Sequence, residues 1–170
     1  MADTLPKHPA YMFRDVMLDY WDPTNTAGLD PKKEPAADLG LSMTRGWYTT
    51  VDYDPHVALT NFREPVGSGS RYTSITGGRP AQQRAGSGMA TAFAEGDHSY
   101  GDSGETAESI TDMIRKELER ATAEAMGDGA LPPPWENLAA TWDNENIDRA
   151  PTPAVWQQQV SVYYHWNKTS

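Results

Sequence analysis

The chain has 170 residues with 24 acidic and 14 basic side chains, a formal net charge of −10, 38% hydrophobic residues and a mean hydropathy of −0.69. Six Trp, eight Tyr and three Phe are too many for a disordered polymer, so an aromatic-rich core under polar loops is expected, at the size of one domain. The charge balance excludes non-specific wrapping of nucleic acid and adsorption on a membrane; the absence of Cys excludes disulfides, thiolate chemistry and Cys-ligated zinc.

No apolar run approaches the roughly 20 residues of a membrane span, and Met1 to Tyr20 mixes Lys, His, Pro, Arg and Asp with its apolar residues, unlike a signal peptide. Lysine occurs only at Lys7, Lys32, Lys33, Lys116 and Lys168. Acidity with scarce lysine resembles the usage of proteins from a high-salt cytoplasm, with an ordinary acidic mesophile protein as the alternative reading.

Taken in chain order, Tyr11 to Trp21 sets Phe13, Val16, Met17 and Tyr20 at helical spacing and predicts a short amphipathic helix stopped by Pro23. Residues 22–42, with Pro23, Gly28, Pro31, Pro35 and Gly40, read as a long loop. Trp47 to Tyr53 and His56 to Phe62 are rich in aromatic and β-branched residues around the turn pair Asp54 and Pro55, which predicts two antiparallel strands. Arg71 to Ile75 and Met89 to Ala94 read as further strands flanking a flexible Gly-rich excursion, with the loop set at 66–88.

The clearest local signal is the stripe Ile110, Met113, Ile114, Leu118, Ala121 and Ala125 within Asp102 to Gly127, a long amphipathic helix with Asp102 and Glu105 at its start and Gly127 as its left-handed stop. Residues 127–153 read as a loop through Pro132, Pro133 and Pro134, with a helical turn over Trp135 to Trp142. Val155 to Trp166 then alternates cleanly and predicts a half-buried closing strand. Together these elements predict one α+β domain over 1–170: a mostly antiparallel sheet of about four or five strands, the long helix packed on it, and a short N-terminal helix.

Chemistry-bearing patterns are sparse. Asp52, Asp54 and His56 alternate as metal ligands could, but Pro55 makes a turn the first reading; His98 near Asp97 and Asp102 lacks diagnostic spacing in the same way. The glycines at 67, 69, 77, 78, 86 and 88 have no phosphate-loop ending, and no Ser or His falls in a triad pattern. No catalytic, cofactor or metal residue is therefore assigned, and the chain reads as a non-enzyme. The charge asymmetry of note is the stretch from Pro65 through Ala94, which holds Arg71, Arg79 and Arg84 and no Asp or Glu. These three arginines are the candidate partner contacts, toward an acidic protein or passing DNA.

The order of helix, loop, strands WYTTVDY and HVALTNF, the Gly/Ser/Arg excursion, MATAFAEGD, the helix ETAESITDMIRKELERATAEAM and the final VWQQQVSVYYHW resembles the tail-terminator proteins of long-tailed bacterial and archaeal viruses, also called tail-completion or minor tail proteins. The acidity and scarce lysine point the resemblance toward a haloarchaeal tailed virus. It implies a virion structural protein of the neck, made in the host cytoplasm, without cofactor or membrane. It further implies a hexameric ring of this chain that caps the tail tube protein, ends its polymerisation, joins the head-tail connector or stopper and lets DNA pass. Another neck, head-completion or minor capsid protein, or a small monomeric binding module, remains the alternative reading.

Overall fold

A computed structural model describes residues 7–34, 38–46, 55–63, 70–72, 82–133, 135–148 and 154–168. Helix α1 spans Pro9–Tyr20. Pro9 needs no N–H partner at a helix start, the imidazole Nδ1 of His8 accepts from the Ala10 amide, and Trp21 leaves the helix in extended geometry. Ala10, Met12, Phe13, Val16 and Met17 form its buried face.

A 3-10 turn, Pro23–Thr26, follows, then strands β1 (Ser42–Arg45), β2 (His56–Thr60), β3 (Ser70–Tyr72) and β4 (Gln82–Glu95), helix α2 (Ala107–Gly127), and strands β5 (Trp135–Asp148) and β6 (Val155–Lys168). They make one sheet in the order β1-β2-β4-β6-β5, with β3 also pairing β4. All pairs are antiparallel except β1 with β2, which is parallel. The architecture is α+β. Helix α2 packs across β4, β5 and β6, while α1 packs on α2 and β1.

The helical spacing of α2 sets its burial: Ile110, Ile114, Leu118, Ala121 and Ala125 are fully buried. Each buried Ile or Leu side chain stabilises by about 1.5–3 kcal/mol. Its cap is Thr106, whose hydroxyl accepts from the Ser109 amide, and not the expected Asp102. Glu105 contributes from the flank, accepting from the hydroxyls of Ser103 and Ser109. The left-handed residue beyond the helix is Gly129, φ 64°, while Gly127 is still helical.

The three loops require correction. Residues 135–148 of the expected 127–153 loop, including the helical turn expected over Trp135 to Trp142, are strand β5, paired along its length with β6. Two register shifts, between Trp135 and Asn137 and between Trp142 and Asn144, break the period-2 alternation that would have betrayed a strand. Its outer position in the sheet also tolerates Asn, Asp and Glu that a central strand would reject. In the expected 66–88 loop, Ser70–Tyr72 and Gln82–Gly88 are strand. There Gly86 lies under the ring of Tyr164 and Gly88 under that of Phe62, so the glycines make room for aromatics instead of conferring freedom.

The 22–42 stretch contains the 3-10 turn and a bridge between Asp30 and Gly40, and its end opens β1. Glu117 of α2, 1% exposed, pins it: its carboxylate accepts from the Asp22 amide at 2.9 Å and from the Asn25 side chain at 2.8 Å. The same carboxylate pairs with Arg120, whose Nε lies 2.8 Å away and whose Nη2 also donates to the Tyr20 carbonyl. The strand expected over Trp47 to Tyr53, and hence its hairpin with His56 to Phe62, lies outside the described residues, as do 73–75 of the expected Arg71 to Ile75 strand.

Two carboxylates give this fold an acid-sensitive edge. Hydrogen bonds from the Thr24 side chain and amide hold Asp22 below the usual carboxylate range, and those from Ser109 and Ser103 do the same for Glu105. A depressed folded pKa contributes stability that is full above the unfolded value of about 4 and is lost as pH falls through the folded one. Glu105→Gln is therefore less stable than the parent at neutral pH, with a gap that narrows as pH drops below about 4. Urea unfolding at both pH values checks this; a gap that stays constant would refute it.

Candidate assembly surface

The structure does not gather the candidate arginines into one site. Arg71 lies in β3 opposite Gln83, and Arg84 lies in β4 opposite Ser70, so the two are one step out of register; Arg79 is outside the described residues. Asp52 and Asp54 are likewise outside them. His56, their expected partner, is buried in β2 with its ring stacked on Phe93 at 4.9 Å, a packing role within the sheet.

At the end of β4, His98 faces Glu95 through Nδ1 at 3.6 Å and Asp97 through Nε2 at 3.5 Å. The ligand atoms of these three residues lie within 4.8 Å of one another. Each imidazole nitrogen thus faces a different carboxylate. Asp102 is not in the group, and its amide instead donates to the Ala27 carbonyl at 2.7 Å.

A larger feature emerges from the sheet. Residues opposite one another share a face, and alternate residues of a strand return to it. One face carries Leu59, Ala90, Val160, Val162, Tyr164 and Leu138 into the core with both helices. The other carries Ala85, Ser87, Met89, Thr91 and Phe93 from β4, Gln157, Gln159, Ser161, Tyr163 and His165 from β6, and Asn137, Ala139, Thr141, Asn144 and Asn146 from β5. Along this span none is Asp, Glu, Lys or Arg, although 22% of the chain is charged; charged positions of the same face come at its ends, Glu95 of β4 and Asp148 of β5 level with Val155, and Arg71 of β3 opposite Gln83. Toward β5 this face is exposed: Tyr163 is 51% accessible, with a shallow depression of about 150 Å³ beside Asn137, Ala139 and His165. A polar surface with its charge confined to the ends, centred on an aromatic, has the composition of a contact surface more than of a solvated one.

Its border is the sheet edge. Strand β5 is outermost, so its outer backbone groups have no strand partner among the described residues. Two bulges and the exposed acids Glu136, Asp143 and Glu145 guard that edge against indiscriminate strand pairing. On the helix side of the same strand stands Trp142, 51% exposed yet fixed. Its indole N–H donates to Gln158 Oε1 at 2.9 Å, its amide donates to Glu119 at 2.7 Å, and the guanidinium of Arg115 lies 5.6 Å from its ring centre. An exposed tryptophan held in one orientation has little entropy left to lose on contact with a partner, as interface anchors require.

The chain matches no known family and no curated protein. The exposure of Trp142 does not follow from the helical turn expected over Trp135 to Trp142; the neighbouring run DNEN was the available signal that this tryptophan had solvated company.

Among the described residues no helix is long and apolar enough to cross a membrane.

Proposed function

We propose that this chain is a virion assembly protein of the tail-terminator type, whose copies close into a ring that caps the tail tube, ends its polymerisation and presents a face to the head connector. The observation that carries this reading is the sheet face of β4, β6 and β5, whose middle holds no charged residue and which is exposed toward β5 in a chain of net charge −10. A strongly acidic protein that circulates alone gains solubility from charge on every face. Withholding charge from the middle of one face suits a surface that meets another protein, or a ring lumen past which polyanionic DNA must slide without a fixed repulsive contact. The guarded β5 edge suits association that is selective, and a contact between two unlike surfaces closes into a ring when its rotation permits.

The test is the mass of the purified chain by light scattering after size exclusion, at about 0.15 M and about 3 M salt, because screening removes acidic self-repulsion. The expected result is a ring-sized species, hexameric in negative-stain images and favoured by high salt. A strict monomer at every concentration and salt would replace this reading with a monomeric binding module. Tyr163→Ser supplies a finer check: it leaves the melting temperature within about 2 °C, since an exposed side chain contributes little to folding, while reducing the assembled fraction. An unaltered assembled fraction would remove this sheet face from the contact.

A further inference from the structure

A cleft of about 330 Å³ lies on the helix side of the sheet, between the first turns of α2 and strands β5 and β6, lined by Thr106, Glu108, Ser109, Asp112, Glu145 and Gln158. Its carboxylates are not equivalent. Asp112 is already neutralised, pairing with Arg115 at 2.6 Å and Lys116 at 2.8 Å, while Glu108 and Glu145 have no ion-pair partner among the described residues. Gln158 is the buried member, 4% exposed, and its orientation is set: Oε1 is taken by the Trp142 indole, which leaves the amide nitrogen as the group available to the cleft. The cleft therefore offers two uncompensated negative charges beside a buried N–H donor. Its complement is a backbone segment that brings a cation together with a carbonyl acceptor.

We infer that this cleft receives an arginine of the carboxylate-free stretch Pro65 to Ala94 from a second copy of the chain, the guanidinium pairing with Glu108 and Glu145 and a backbone carbonyl accepting from Gln158. This deepens the assembly reading above and rests on it for the identity of the partner. Charge complementarity within one sequence supports the choice: the stretch holds Arg71, Arg79 and Arg84 without an acid, and residues 121–148, which include β5, hold no Lys or Arg. A chain cannot make the contact with its own Arg84. The register sets Arg84 level with Trp166 and Ala92 level with Gln158, and eight strand residues separate the two by about 26 Å, far beyond an arginine's reach. The contact joins unlike surfaces, so it propagates head to tail until it closes.

The experiment uses two full-length variants, Glu108→Arg with Glu145→Arg, and Arg71→Glu with Arg79→Glu and Arg84→Glu, each checked for folding by circular dichroism. At about 0.15 M salt, where screening acts beyond about 8 Å, each alone is expected to self-associate on the order of a hundredfold more weakly than the parent. Mixed one to one, reversed cleft meets reversed segment and intact cleft meets intact segment, so light scattering should recover the parental mass. Variants that assemble like the parent, a mixture of folded variants that fails to recover, or a parent that is monomeric throughout would each overturn the inference. A ring indifferent to charge reversal would remove this contact and leave the terminator reading, whereas a reversal-sensitive dimer would keep the contact and remove the ring.

Discussion

Glu117→Ala is expected to lower the melting temperature by about 6–12 °C. Removing one partner of a buried ion pair costs about 3–5 kcal/mol, because the other charge and the remaining donors lose their acceptor. The lower end applies here, since the Arg120 side chain is 36% exposed and can turn to water, while Glu117 itself is enclosed. Each kcal/mol moves the transition of a chain this long by about 2–4 °C. The loss does not stay local: the Asp22 amide, the Asn25 side chain and Arg120 all hang on the one carboxylate, so the 3-10 turn detaches from α2. Thermal unfolding followed by circular dichroism measures it, with Glu117→Leu combined with Arg120→Met as the comparison. Taking out both charges recovers part of the loss. A shift below about 2 °C for the single variant, less than 1 kcal/mol, would mean that the carboxylate anchors nothing.

Gly86→Ala and Gly88→Ala test a different claim and discriminate by sign. A glycine in a flexible loop gains about 0.4–1 kcal/mol on becoming alanine, through the unfolded chain. In β4 a methyl at Gly86 would overlap the ring of Tyr164, and one at Gly88 the ring of Phe62. Neither ring yields easily: Tyr164 is 1% exposed, its hydroxyl donates to the Arg63 carbonyl, and it stacks on Phe62 at 6.3 Å and on Trp135 at 4.9 Å. Overpacking of this kind costs about 1–3 kcal/mol, and the upper end is expected for each variant. Gly127→Ala is the control. It sits in α2 with open space around it, and alanine there should stabilise by about 0.5–1 kcal/mol. Chemical denaturation midpoints separate the three, and a neutral or stabilising Gly86→Ala would return that segment to the status of a loop.

Elements whose period is unbroken were legible from the residues alone. The stripe of α2, the apolar face of α1 and the alternation of β6 each follow from a side-chain repeat that only one backbone geometry satisfies. Composition likewise told against nucleic-acid wrapping, and the absence of Cys removed thiol chemistry, because those statements need no knowledge of neighbours. The candidate arginines were visible as a gap in the acids, but not where they would act, since an unpaired charge shows its sign in a sequence and its partner only in space.

What the sequence could not determine was fixed by neighbours. Strand β5 exists because β6 supplies its ladder, overriding Asn and Asp residues that favour turns, and its bulges erase the alternation by which it could have been read. Gly86 and Gly88 look like freedom in one dimension and become packing constraints once Tyr164 and Phe62 arrive from β6 and from the segment after β2. The sparsely charged face and the acidic cleft are properties of registers among strands far apart in the chain, invisible until pairing fixes which residues share a side. Local periodicity, in short, specified the pieces because it acts over a few residues. Hydrogen-bonded register and close packing decided which surfaces those pieces left open, because both depend on residues that the chain brings together only on folding.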